Sequence, residues 1–464
     1  MIKDKYKLLT GLCLIHFLLG LDINIVSVSL TSIAAQFNVS PVQVTQIIWI
    51  YFLVIICLLP AFGKAGDIKG FRKIYISGII VFITGSMLAS VPVNFYFLLS
   101  ARVIQAAGAA ALFSLTPAII AFYFTEDIRG RIFGVNYTFT ALGGITGRAV
   151  SGYLITELGW NSVFYVCIPL GLAALFFIYK YLPENIPSEN KGRFDIKGTI
   201  LISSGLFLLM VILNTGNEFG WFSPFIIFFF IFSVLLIIAF IKRQLNSESP
   251  LIDLKILKEK NISFPVASFL FVYLITNGMI YIVPFFLQWI KLISKEETGL
   301  LMAIPSAVQL FSGFLSGKLS ENKSKIVICS AALVLLIFSL ILHLQFSENS
   351  SITFIIISLS LYGFATGFFI PANTNKIMTY APENSKGSVS GLMTTSVRLG
   401  SSLGALIFGT VFSSFVPFKN PLKEGVSGSV MLTGFRGAFF AGIISAFIAL
   451  ILILFTRERK LHLK

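Results

Sequence analysis

One carboxylate stands apart from the rest of the chain. Asp22, in "LDINIVSVSL", is the one acidic residue of twenty placed well inside an apolar run. A charge at such a position costs ~2.5–3.5 kcal/mol or more on insertion scales, so it demands a partner or a water-filled surround. A carboxyl held away from bulk water is also suited to taking up and releasing a proton. Two readings follow, a static buried ion pair with an arginine, or a site that responds to protons or cations.

Three arginines also fall inside apolar runs. Arg102 opens "RVIQAAGAAALF", with Gln105 one turn on and hence on the same side of a helix. Arg398 precedes the small-residue face of "SVRLGSSLGALIFG". Arg148 sits in "LGGITGRAVSGYLI", among Gly143, Gly144, Gly147 and Gly152. Each can pair with Asp22, hold a substrate anion, or snorkel toward an interface. His16 lies six residues before Asp22, off its face, and reads as a packing or water-facing histidine.

The segment "GKAGDIKGFRK" is a second candidate. Gly63 and Gly70 frame a tight turn, Asp67 sits just before the next helix, and Lys69, Arg72 and Lys73 follow. A carboxylate there can cap that helix and pair with basic groups, contacts that form in one conformation and break in another.

The elements that must position these residues are long apolar helices. Of 464 residues, 56% are hydrophobic and 12% charged, and mean hydropathy is +0.90. The chain segments into fourteen apolar runs from 8–30 to 435–456, each near the ~20 residues a span needs. This predicts an all-α polytopic membrane protein; a transmembrane barrel would show short alternating segments instead.

The net charge of +15 invites a nucleic-acid reading, but its distribution argues otherwise. With the N-terminus inside, only Lys291, Lys295, Lys419, Lys423 and Arg436 fall on the outer side, and the rest outside the spans lie inside. Such a bias predicts both termini in the cytoplasm and no nucleic-acid partner. No cleavable signal peptide is expected. Cys13, Cys57, Cys167 and Cys329 have neither metal-ligand nor CxxC spacing and read as small core residues.

Two hydrophilic connectors, 183–197 and 242–261, bracket the seventh and eighth runs. The expected organisation is an N-terminal six-helix bundle over 1–182, connectors with two extra helices over 183–261, and a C-terminal six-helix bundle over 262–464. The halves repeat. Leu142, Gly143, Gly147 and Gly152 line up with Leu399, Gly400, Gly404 and Gly409, and "GKAGD" at 63–67 is echoed by "GKLSE" at 317–321. An intermediate offset sets Asn277 opposite Asp22 and predicts that the second half keeps a polar group there without the charge.

These residues together resemble the major facilitator superfamily, in its fourteen-helix drug:proton antiporter branch, along essentially the whole chain. Gly63, Asp67, Gly70, Arg72 and Lys73 match the family's loop after helix two, although Ile68 replaces the usual basic residue. "LDINIVSVSL" is similar to the branch's helix-one motif. "RVIQAAGAA" is similar to its helix-four motif at Arg102, Gln105 and Gly108, with Ala106 for a glycine. "GRFDIKG" resembles the entry to the two extra helices, and "SVRLGSSLGALIFG" the helix-thirteen pattern at Arg398. Span five departs from the antiporter motif, with Arg148 where the family carries proline and Ser151 in the later glycine pair; "WRW" is reduced to Trp160-Asn161-Ser162.

The resemblance implies alternating access and export of amphipathic small molecules in exchange for protons, with the proton gradient as energy source and no cofactor. Asp22, Arg102 and Gln105 would couple the proton. Residues 63–73 would hold a cytoplasmic gate, and the glycine faces of spans five and thirteen would let the bundles slide closely. Asn24, Asn277 and Arg398 are the candidates for lining a substrate cavity. The expected setting is the plasma membrane of a bacterium, with the protein a monomer. The alternative is a proton-coupled exporter of one specific anionic or neutral metabolite. An enzyme or receptor finds no support: there is no HExxH, nucleophile elbow, phosphate-binding loop or paired catalytic carboxylates. For Arg148, snorkelling, a role toward anionic cargo or Asp22, and a straightened hinge all remain open.

Overall fold

The computed structural model describes residues 2–39, 41–184, 194–247, 250–251, 253–416 and 427–457. Gly192 and Arg193 of the segment leading to the extra helices, and Lys419 and Lys423, lie outside the described residues. Fourteen long helices account for nearly all of the described chain. They are α1 (Ile2–Phe37), α2 (Gln46–Lys69), α3 (Phe71–Ser90), α4 (Phe95–Tyr123), α5 (Glu126–Leu158), α6 (Cys167–Tyr181), α7 (Ile196–Phe219) and α8 (Pro224–Asn246). α9 (Lys260–Phe285), α10 (Lys295–Asn322), α11 (Lys325–Leu344), α12 (Ile352–Tyr380), α13 (Lys386–Phe415) and α14 (Gly428–Leu454) complete the set.

Among the described residues, thirteen helices are long and apolar enough to cross a membrane. The remaining one, α5, has the length, but its glycines, Asn136, Thr138, Thr140 and Arg148 dilute its hydropathy. Helix boundaries follow ordinary chemistry. Asn94 caps α4 by accepting from the Phe97 N–H at 2.8 Å, and Ser294 and Glu297 form a capping box on α10. Gly70, at φ 90°, makes the one-residue turn between α2 and α3, a conformation that a Cβ disfavours.

The chain divides into two compact units, Met1–Ile256 with Ala381–Thr395, and Leu257–Tyr380 with Ser396–Lys464. α13 runs through the division, its first turns belonging to the first unit. In the first unit α1 packs on α5 and α6, and α4 on α2 and α3; the extra helices α7 and α8 pack on each other, and α7 on α2. In the second unit α12 packs on α10 and α11, and α14 on α9 and α11. Cys13, Cys167 and Cys329 are buried and Cys57 half-buried.

Candidate functional site

Four helices of the first unit converge on Asp22. Arg102 of α4 donates from Nη1 to Asp22 Oδ1 at 3.0 Å, and also to Gln105 Oε1. Gln105 donates to Asp22 Oδ1 at 3.0 Å and to Ser86 Oγ of α3 at 2.8 Å. The Tyr51 ring of α2 lies 4.1 Å from the guanidinium carbon. Asp22 and Gln105 are 0% exposed and Arg102 1%, so none of the three reaches solvent. Arg102 therefore turns inward rather than snorkelling. Removing one partner of such a pair leaves the other charge buried and unpaired.

The loop candidate takes a different form from the expected one. Asp67 does not cap α3, the helix that follows it. It accepts from the Gly387 N–H at 2.7 Å, the Ser388 N–H at 2.8 Å and Ser388 Oγ at 2.6 Å, capping α13 some 320 positions away. The physical reason is the turn: Gly70 lets α3 start at once, leaving its N-terminus beyond reach of Asp67. Gly63 makes room, since a side chain there would collide with the Gly387 carbonyl. Buried Lys386 donates to the Ala121 carbonyl at 3.1 Å, at the C-terminus of α4, where unpaired carbonyls favour a cation. An anion at one helix start and a cation at another's end thus hold the first turn of α13. Arg72 donates to the Tyr179 carbonyl at 2.7 Å and to Glu184 at 3.3 Å, tying α3 to the end of α6. Lys73 makes no side-chain bond among the described residues.

The glycine faces close each unit internally. A side chain at Gly143 would strike the Phe17 carbonyl, and one at Gly147 would crowd the Leu21 carbonyl, so α5 lies directly on α1. Gly400 and Gly404 of α13 meet the Leu270 and Leu274 carbonyls of α9 in the same way. Gly152, expected on this face, looks onto open space: a Cβ there would meet nothing within 4 Å.

These contacts correct the internal alignment. Gly147 sits over Leu21 and Ile25; Gly404 sits over Leu274 and Gly278. The first helices of the two units therefore match with Leu274 against Leu21, which places Ile275 level with Asp22 and Asn277 level with Asn24. A shift of two residues turns a helix by roughly 200°. Asn24 and Asn277 behave alike: each amide donates to the carbonyl four residues back, Gly20 at 2.8 Å and Tyr273 at 3.3 Å.

Arg148 is exposed on α5, and its Nε donates to Asn24 Oδ1 at 3.0 Å. It touches neither Asp22 nor the end of its own helix, and α5 runs its 33 residues without a proline. Arg398 is half-buried on α13. His16 packs edge-on against Phe113 and shares a 2.9 Å hydrogen bond with Thr140 of α5.

Several groups carry no signal in the sequence. Ser86, Tyr51, Lys386 and Ser388 join the sites through non-local packing that no spacing reveals. Asp195 is legible as a polar residue before an apolar run, but nothing in the spacing names its partners. It caps α7 through the Gly198 N–H at 2.9 Å and accepts from Arg243 and Gln244 of α8 at 2.8 Å each. Burial alone would raise its carboxyl; the bonds from Arg243, Gly198 and Gln244 outweigh that and hold it below the usual carboxylate range. Among the described residues no three His, Cys, Asp or Glu side chains gather as metal ligands would.

A bundle of long apolar helices with an ion pair buried among them is the architecture of a polytopic membrane protein. The chain matches the Major Facilitator Superfamily over residues 12–405 and again over 266–464, and it belongs to that family. It is 26% identical to the riboflavin transporter RibZ of Clostridioides difficile, over 98% of both chains. It is 28% identical to the multidrug resistance protein Stp of Mycobacterium tuberculosis, over 88% of this chain and 75% of that one. With the methylenomycin A resistance protein of Bacillus subtilis it shares 27% identity over 84% of each. The human organic anion transporter MFSD10 has the same fold, with TM-score 0.67, 17% identity and coverage of 96% and 97%. The protein is thus a multi-pass membrane transporter with bacterial relatives, not an enzyme.

Proposed function

We propose that this protein is a secondary active exporter of amphipathic small molecules, driven by exchange with protons through alternating access. The observation that carries the reading is the Asp22–Arg102–Gln105 cluster, a fully buried carboxylate whose partners come from a different helix. Protonation of Asp22 would cancel the attraction to Arg102 and free the guanidinium for a second arrangement, a coupling of charge to helix packing. Asp67 and Lys386 would hold the first turn of α13 in one state and release it in the other. The gradient supplies the energy and no cofactor is needed. The chain works as a monomer in the cell membrane with both termini in the cytoplasm.

Relatives named for multidrug and methylenomycin A resistance support export of drug-like cargo. A second reading, transport of one specific metabolite, is favoured by the full-length similarity to a riboflavin transporter. Inside-out vesicles with an imposed pH gradient, assayed against cationic, neutral and anionic compounds, test both. Gradient-dependent uptake that disappears in Asp22→Asn is expected. Uptake indifferent to the gradient, or unchanged in that variant, would rule out proton exchange, and movement of a single metabolite would favour the second reading.

A further inference from the structure

Arg148 is a cation without a counter-charge. Asp22, the carboxylate at the heart of its unit, is already engaged by Arg102. No acidic side chain among the described residues pairs with Arg148, whose side-chain hydrogen bond goes to the neutral Asn24. A guanidinium carries five N–H donors, and this one has four to spare. Neither end of the helix answers the need. α5 continues from Arg148 to Leu158, roughly 15 Å at 1.5 Å per residue, and the side chain runs sideways to α1 instead.

The surroundings hold the guanidinium in place. Asn24 donates its amide N–H to the Gly20 carbonyl at 2.8 Å, which fixes its oxygen toward Arg148 Nε. A side chain at Gly144 would press on the Asn24 amide at 3.0 Å, so the glycine leaves the amide its room. Ser27, one turn further along α1, is an exposed hydroxyl beside it. With Nε tied down on an exposed residue, the two terminal amino groups form an open planar fork, the geometry that grips a carboxylate or phosphate through two parallel bonds.

We infer that Arg148 and Asn24 form a recognition site for an anionic group on the transported molecule, a carboxylate or a phosphate monoester. This rests on the export reading and names its substrate class. At the matching place in the second unit Ala405 stands instead of an arginine, while Asn277 keeps the counterpart of Asn24.

The test is equilibrium binding to purified protein in nanodiscs, with two xanthene dyes of similar size. Carboxyfluorescein is the anion and tetramethylrhodamine methyl ester the cation, both read by fluorescence anisotropy. The wild type is expected to prefer the anion, and Arg148→Gln to lose about tenfold or more in its affinity. Arg148→Lys keeps the charge without the fork and should fall between. Asn24→Asp supplies an internal counter-ion with the same shape, so it should abolish the preference even if Arg148→Gln folds poorly. A wild type that binds the cation as well as the anion, or binds neither, overturns the inference. So does anion affinity that is unchanged in Asn24→Asp. Binding needs no gradient, so the two readings separate. Anion binding that follows Arg148 with gradient-blind uptake sinks only proton exchange, whereas gradient-driven uptake independent of Arg148 sinks only this site.

Discussion

The crossing of α1 with α5 and the crossing of α9 with α13 share one backbone design and carry different chemistry. In both, two glycines four residues apart let one helix lie on the carbonyls of the other. In both, an asparagine bonds back one turn within the first helix. The first unit then adds Asp22 and Arg148, where the second has Ile275 and Ala405. The ties to the neighbouring long helix diverge in the same way. Asp22 meets α4 through an ion pair, whereas α9 meets α12 through neutral bonds, Tyr362 to the Thr276 carbonyl at 3.4 Å and Asn373 to the Pro265 carbonyl at 2.9 Å. Packing was duplicated because close approach depends on the absence of a side chain, which either half can repeat. At these two crossings the charge is kept to one half, and a buried ion needs a partner of its own.

The largest effect should come from breaking the charged tie. Asp22→Leu leaves Arg102 buried and unpaired and is expected to destabilise the protein by about 3–5 kcal/mol. The double variant Asp22→Leu with Arg102→Met should regain most of that in thermal unfolding while transport stays lost. Ile275→Asp, at the matching level of the second unit, puts a carboxylate at a fully buried position and should also lower the unfolding temperature. Were it harmless, the contrast between the halves would collapse.

Next come the shared glycines. Gly143→Ala and Gly400→Ala each force a Cβ into a carbonyl and should cost about 1–3 kcal/mol, by similar amounts in both units. Gly152→Ala, with open space around it, should stay within about 0.5 kcal/mol of wild type. Unfolding temperatures of the three variants decide this, and a costly Gly152→Ala would contradict the packing described.

Asp67→Ala removes three bonds at the start of α13 and should cost about 0.5–2 kcal/mol, with faster cleavage by added protease near residue 385. If Glu321→Ala, at the echoed loop of the second unit, cost as much, the gate would not be particular to the first half.

The smallest effect is a pH dependence. The folded Asp195 carboxyl is held below its ordinary range, so its stabilising share is complete above about pH 4 and fades as pH falls through the depressed value. The difference in melting temperature between wild type and Asp195→Ala should therefore close on the acid side and stay constant above neutrality. A gap that widened toward acid would have the wrong sign.

Much of the molecule is legible in the chain alone. The helical spans follow from runs of apolar residues, because the bilayer fixes their length and forbids unpaired backbone. Asp22 and Arg102 stand out because a charge among apolar residues has few explanations. Asp67 is legible as a cap, yet not which helix it caps, because Gly70 turns the chain too sharply for the local one. Loop offsets set Asn277 opposite Asp22, but loops and helices drift separately, and only the glycine contacts reveal the register.

The order of helices, the buried carboxylate and the glycine spacing were therefore determined by the amino-acid sequence itself, since each rests on residues close together along one helix. Which arginine meets Asp22, which helix Asp67 caps and what holds Arg148 were decided only by tertiary structure. Those pairings join residues 80, 320 and 124 positions apart. At such separations hydrophobic periodicity says which face is buried but not which side chain it meets.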